Sequence, residues 1–168
     1  MSDPTGLAVL FPDLDPATKA VRAERDPAHA QGLAPHVTVL YPFLPEAEVT
    51  DAIHARLAAL FAAHPGFDVT FPRIARFPDT LYLAPEPAAP FQHLTKAMAR
   101  AFPDHPPYGG VYGDPVPHLT LASGPDLPEP TLPLPLTARA EAVTHLAFRA
   151  DRWYQIARYE LAPSGDPA

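Results

Sequence analysis

The sequence predicts an α+β fold, and three observations predict it. Short runs rich in β-branched and aromatic residues recur along the chain, of which His36 to Phe43 (HVTVLYPF) is the clearest. Between such runs lie stretches whose apolar residues fall at helical spacing, such as Val49, Ile53, Leu57, Leu60 and Phe61. Proline supplies 25 of the 168 residues, roughly three times its usual share of about 5%, while glycine supplies only 8. That balance reads as punctuation between short elements.

Taken in order, Leu7 to Phe11 is an apolar run stopped by Pro12, as in a buried strand. Asp15-Pro16 reads as an N-cap followed by proline in the first turn, opening a helix to about Arg25 that Pro27 closes. Arg22 and Arg25 read as part of its solvated face. His36 to Phe43 is a strand. Pro45, with Glu46 and Glu48, is expected to open the longest helix, which Pro65-Gly66 stops. Phe67 to Phe77 and Thr80 to Ala84 read as extended, joined by a Pro78-Asp79 turn. A helix from near Pro90 buries Phe91, Leu94, Met98 and Phe102. Residues 103–117 are a loop by composition, and His118 to Ala122 is a strand. Residues 125–136 are too proline-dense for a helix and are expected to run extended over the surface. Ala142 to Arg149 and Trp153 to Leu161 close the chain as strands, for about seven strands and three helices.

A chain of 168 residues fits one domain, 1–168, and can bury a substantial core. It has no cysteine, which excludes disulfides, thiolate nucleophiles and cysteine-based zinc sites. The N-terminus lacks the basic region and apolar run of a signal peptide, and no apolar stretch is long enough to span a membrane. A cytoplasmic protein is expected. The net charge of −7 argues against a surface for long nucleic acid, which works by neutralising phosphates. A small anion in a locally basic cleft remains open, and ten of the twelve basic residues are arginine, the better-shaped phosphate ligand.

The chemistry lies in a repeat. Pro35-His36-Val37-Thr38-Val39 recurs as Pro117-His118-Leu119-Thr120-Leu121, 82 residues later. Chance alone gives such a recurrence in roughly 1–2% of chains of this composition. Each copy opens a strand-like run after a proline-bearing loop, and each half of the chain has a long helix. An internal duplication with a pseudo-twofold relation is the expectation. Strand alternation sets His36 with Thr38, and His118 with Thr120, on one face, and the four aliphatic residues on the other. If the two strands come together, the cleft holds two imidazoles and two hydroxyls, with the small Ala122 leaving room for a ligand.

Such a set suits in-line attack on a phosphodiester. One neutral imidazole takes a proton and the other, protonated, gives one to the leaving oxygen. Thr38 and Thr120 can donate to the non-bridging oxygens. No cofactor and no metal is required, and no H-x-H or H-E-x-x-H zinc spacing occurs. Which histidine is acid and which is base stays open.

The paired motifs, HVTVLYPF and PHLTLA, resemble the 2H phosphoesterase superfamily and specifically its 2′-5′ RNA ligase-like branch. The Trp153 to Leu161 end is similar to that branch's last strand. The resemblance implies a bilobal fold, two pseudo-twofold-related lobes of antiparallel sheet with flanking helices and a central cleft. It also implies action on 2′,3′-cyclic or related phosphates, and carries over His36, Thr38, His118 and Thr120. Some relatives that act on RNA ends have a basic residue after the second motif, where this chain has Ala122-Ser123-Gly124. With the acidic net charge, that departure puts long RNA in doubt and favours a small nucleotide-like substrate; an RNA terminus is the other expected partner, and a monomer is expected. A non-catalytic nucleotide-binding module and an RNA-end-joining enzyme are the alternatives.

Other residues give weaker signals. Arg73 and Arg76 could line the cleft or sit at an exposed strand end. Tyr108 and Tyr112 could stack on a base. Tyr41 falls on the Val37 and Val39 face if alternation persists, which reads as core packing. His29, His54, His64, His93, His105 and His145 have no partner motif and read as structural or solvated.

Overall fold

The structure is a computed structural model that describes residues 3–110 and 115–163. Eight strands among these residues form one antiparallel sheet: β1 (Pro4–Leu10), β2 (His36–Pro45), β3 (Phe67–Phe77), β4 (Thr80–Glu86), β5 (Leu119–Ser123), β6 (Leu136–Ala140), β7 (Ala142–Arg149) and β8 (Arg152–Glu160). Three helices exceed two turns: α1 (Asp15–Arg25), α3 (Asp51–Ala62) and α4 (Ala89–Ala101); the single turn α2 (Pro27–Ala30) follows α1. The α+β reading holds.

The strand order is β6-β3-β4-β5-β2-β1-β7-β8, so the two motif strands, β5 and β2, meet at the centre with three strands beyond each. Both halves are built alike. A strand (β1 or β4) returns through a helical connection to an antiparallel neighbour that carries the motif (β2 or β5). The halves are the two lobes, related by a pseudo-twofold through the seam. The helix of each connection crosses that seam: α1 packs against β5, and α4 against β2, where the Thr95 hydroxyl donates to the Val39 carbonyl at 2.7 Å. A single residue, Glu141, joins β6 at one edge to β7 near the other, which forces the sheet to curl.

One face of the sheet carries the core. Leu7, Val9, Val37, Val39, Leu81, Leu83, Leu119 and Leu121 pack there against Leu57 and Phe61 of α3 and Phe91, Leu94 and Met98 of α4. The opposite face keeps its centre open. This division follows from the two-residue period of each strand.

The elements differ from expectation in three places. The long helix starts at Asp51, because the Thr50 hydroxyl accepts from the Ile53 amide (3.3 Å) as its N-cap, while Glu46–Glu48 form a 3₁₀ turn and β2 continues to Pro45. The chain after Pro27 re-enters a helical turn, capped by the Asp26 carboxylate on the Ala28 amide (3.1 Å). An eighth strand, β6, follows the proline-rich segment. Leu136 and Ala140 face inward while Thr137 and Arg139 point outward, and the strand pairs with β3 along its whole length. Two alternating residues on an edge strand gave too short a signal to separate it from the prolines before it.

Candidate active site

Val37 and Leu119 are paired across the seam, and both are fully buried. Antiparallel pairing then sets His36 opposite Thr120 and Thr38 opposite His118, one residue to either side. All four side chains share the face away from the core. The imidazoles are diagonal neighbours on this register, which brings their Cβ atoms within roughly 8 Å of each other.

The two histidines are held in the same way. His36 Nδ1 bonds the Ala34 carbonyl at 2.9 Å, and His118 Nδ1 bonds the Val116 carbonyl at 2.7 Å. In both cases the acceptor is two residues back, across the motif proline. A carbonyl can only accept, so Nδ1 carries the proton and a neutral ring must leave Nε2 with its lone pair. Neither Nε2 makes a hydrogen bond among the described residues. Burial holds the His36 imidazole below its ordinary value, partly offset by the bond to Ala34, with Arg22 and His118 lowering it further and Asp26 opposing them. Burial also holds His118 down, against its bond to Val116. Both rings therefore favour the neutral form.

Aromatic rings brace the second histidine. Phe77 meets the His118 ring edge-on at 5.2 Å and Tyr82 does so at 5.6 Å, while Phe77 and Tyr82 stack on each other at 4.3 Å. Their contribution was not anticipated, although the Pro78-Asp79 turn already brings β3 and β4 side by side.

A matched irregularity follows each motif. Ala8 pairs with Thr38 but Leu7 with Leu40, so Val39 is an extra residue in β2; Tyr82 pairs with Thr120 but Leu81 with Ala122, so Leu121 is an extra residue in β5. A bulge of one residue reverses the alternation beyond it. Tyr41 is consequently turned onto the cleft face, where it meets Trp153 edge-on at 6.1 Å, and is not a core residue. Ala122 goes the other way: it is 3% exposed in the core, and Ser123 takes the outward position. Ala122 therefore does not make room for a ligand.

Beside His36 and Thr38 opens a pocket of about 190 Å³, walled by Tyr41, Tyr108, Leu33, Leu146 and Trp153. Gly6 lies at its edge, and a Cβ there would come within 3.2 Å of the Tyr41 ring. His118 and Thr120 lie outside its walls, across the seam. Tyr108 joins it from the loop before the second motif, with left-handed backbone (φ 51°), a conformation costing roughly 1–2 kcal/mol for an L-residue. Tyr112 lies outside the described residues.

The two candidate arginines are separated. Arg73 pairs with Ala84 and so shares the face of Tyr82, but it is exposed and ion-paired with Glu86 at 3.4 Å. Arg76 pairs with Leu81 on the opposite face and donates to the Leu127 carbonyl at 2.8 Å. Neither enters the pocket wall. Arg22 departs most from its expected place. It is 1% exposed rather than solvated, bonded to Asp26 and to the Leu33 carbonyl. Its signal was the Arg22-x-x-x-Asp26 spacing, which suits an i,i+4 pair. No group of three or more His, Cys, Asp or Glu side chains able to hold a metal occurs among the described residues, and no described helix is long and apolar enough to cross a membrane.

Three solved structures share this fold at low sequence identity. No curated relative matches the chain. Escherichia coli LigT, solved with 3′-AMP, has 19% identity and a TM-score of 0.66, covering 96% of this chain and 99% of its own. A structure described as a phosphoesterase has 18% identity and a TM-score of 0.68 over 96% and 99% of the two chains. The Thermus thermophilus protein TT0787 has 18% identity and a TM-score of 0.60 over 95% and 98%. These likenesses show the fold. The family model described as the 2′-5′ RNA ligase superfamily matches residues 10–160, both motifs included. The chain belongs to the 2′-5′ RNA ligase superfamily, a group of 2H phosphoesterases.

Proposed function

We propose that this protein hydrolyses a 2′,3′-cyclic phosphate, or a related phosphodiester, of a small nucleotide or RNA terminus without a metal. His36 and His118 exchange the protons, and Thr38 and Thr120 hold the phosphoryl oxygens. The observation that carries this is the matched pair of Nδ1–carbonyl bonds, since each leaves an Nε2 for proton transfer in the shared cleft. One Nε2 accepts a proton from the attacking water as its oxygen bonds phosphorus. The other, as imidazolium, donates a proton to the departing ribose oxygen, giving a phosphomonoester. Burial favours two neutral rings, and the anionic phosphate supplies the charge that restores one proton. The threonine hydroxyls donate to the non-bridging oxygens through the transition state.

The pocket beside His36 is apolar and aromatic, which suits a nucleobase, and it lies on one side of the phosphate site only. The nucleoside then sits beside His36, which makes His36 the acid to the ribose oxygen and His118 the base to water. LigT has been solved with 3′-AMP, NADP+, ATP and phosphate, in keeping with a small ligand here. We further read the chain as one domain built by duplication, a reading supported by the matched motifs, bulges and exchanged helices. Incubation with 2′,3′-cyclic AMP, followed by phosphorus NMR, should give a single phosphomonoester. Saturable binding with no product would favour a binding module instead.

A further inference from the structure

Arg22 is buried on α1, and each part of its guanidinium is differently placed. Nε donates to Asp26 Oδ2 at 2.9 Å, and Nη2 donates to the Leu33 carbonyl at 2.6 Å. Nη1 makes no hydrogen bond and stands 3.8 Å from Asp15 Oδ1. Asp26 is itself only 5% exposed, and its other oxygen caps Ala28. A buried ion pair is weak evidence for stability, because apolar residues of similar volume often do as well. Its presence calls for another reason.

The turn that Arg22 holds supplies one. Residues 33–35 present three successive carbonyls, and each has a separate donor: Leu33 takes Arg22 Nη2, Ala34 takes His36 Nδ1, and Pro35 takes the Phe11 amide at 2.7 Å. The carbonyl that fixes the His36 tautomer therefore sits between two that are anchored, one by the residue after β1 and one by Arg22. If the Leu33 peptide rotates, the Ala34 carbonyl turns with it and the Nδ1 bond is lost.

We infer that Arg22, oriented by Asp26, is a positioning residue that clamps the 33–35 turn and through it sets the tautomer and direction of the His36 imidazole. The inference rests on the reading of His36 as a proton-transfer group, which gives that tautomer its use. The groups that act on the ring electrostatically are Arg22 and Asp26 beneath it and His118 across the seam. Arg22 disfavours the charged ring and Asp26 favours it.

The test is NMR titration of the histidine rings in the full chain, for wild type, Arg22→Met and Asp26→Asn. Arg22→Met should mix the His36 tautomers. Asp26→Asn retains an acceptor for Nε, so it should keep the tautomer and move the titration downward. His118 should hold its tautomer in both. A wild-type His36 tautomer in Arg22→Met, or mixed tautomers in Asp26→Asn, would overturn the inference. If Arg22→Met does not fold, Arg22→Lys decides: it keeps the charge but cannot reach both partners. It should mix the tautomers, and an unmixed tautomer there overturns the clamp. The readout needs no turnover, so a failure of the cyclic-phosphate reading would show separately, as a wild-type protein inactive on 2′,3′-cyclic AMP.

Discussion

At the scale of single residues, the site is a set of side chains whose protons are assigned by their neighbours. His36→Ala and His118→Ala should each lower kcat on a 2′,3′-cyclic nucleotide by roughly 10²–10⁴-fold, the usual worth of a positioned acid or base. Neither ring is in the core, so the thermal midpoint of each variant should stay near that of wild type. Thr38→Ala and Thr120→Ala remove one donor each and should cost roughly tenfold in kcat, from about 1–2 kcal/mol of lost transition-state stabilisation. Trp153→Ala separates binding from chemistry: it should raise KM for nucleotides roughly tenfold while leaving kcat within about twofold, because base–aromatic stacking is worth about 1–3 kcal/mol. Equal losses in kcat would place Trp153 in the chemical step and contradict the pocket's role. The motif residues were legible because strand alternation is a local rule. Arg22 was not, since a helical arginine is usually solvated and only the packed structure shows α1 crossing onto the other lobe.

At the scale of elements, the unexpected features have one cause each. Alternation predicts the faces of His36 and Thr38 but fails after Val39 and Leu121, where an extra residue reverses it. Neither residue carries a mark of a bulge, so Tyr41 and Ala122 changed places between the sequence reading and the structure. A buried polar chain ties α3 to four strands on the core side. Thr5 donates to the Leu44 carbonyl (2.6 Å), so it must accept from His145 Nε2 (2.8 Å). His145 Nδ1 then accepts from the Tyr159 hydroxyl (2.9 Å), which in turn accepts from His54 Nδ1 (2.7 Å). This order requires a neutral His145, and burial accordingly pushes its pKa down to about 4 and that of Tyr159 up to about 12. The His145 value lies below the 6.5 of an unfolded chain. Its stabilisation is therefore complete above about pH 6.5, is lost as pH falls toward 4, and changes no further below that. The loss should reach roughly 3 kcal/mol at most, measured by denaturant unfolding across that range. His145→Gln should flatten this part of the profile; an unchanged slope would show that another group sets it.

At the scale of the whole molecule, the pseudo-twofold brings one histidine and one threonine from each half to a single seam. The sheet order explains why the motifs, 82 residues apart, become neighbours: each motif strand is the innermost of its lobe. The division into antiparallel lobes was legible from the repeat and the resemblance it carries. The curl was not, because it depends on β6 meeting β7 through Glu141 and β6 itself was hidden behind prolines. A net charge of −7 leaves little for extended phosphate contacts. KM for a mononucleotide should therefore change less than about threefold between 50 and 200 mM salt, whereas a surface contacting 6–10 phosphates would weaken by roughly 10³–10⁵. The most direct test is turnover of 2′,3′-cyclic AMP in excess chelator by wild type, His36→Ala and His118→Ala. Two-histidine catalysis predicts full wild-type turnover and a loss of at least about 100-fold in each variant. Turnover that vanishes with chelator, or that survives in either variant, would contradict it.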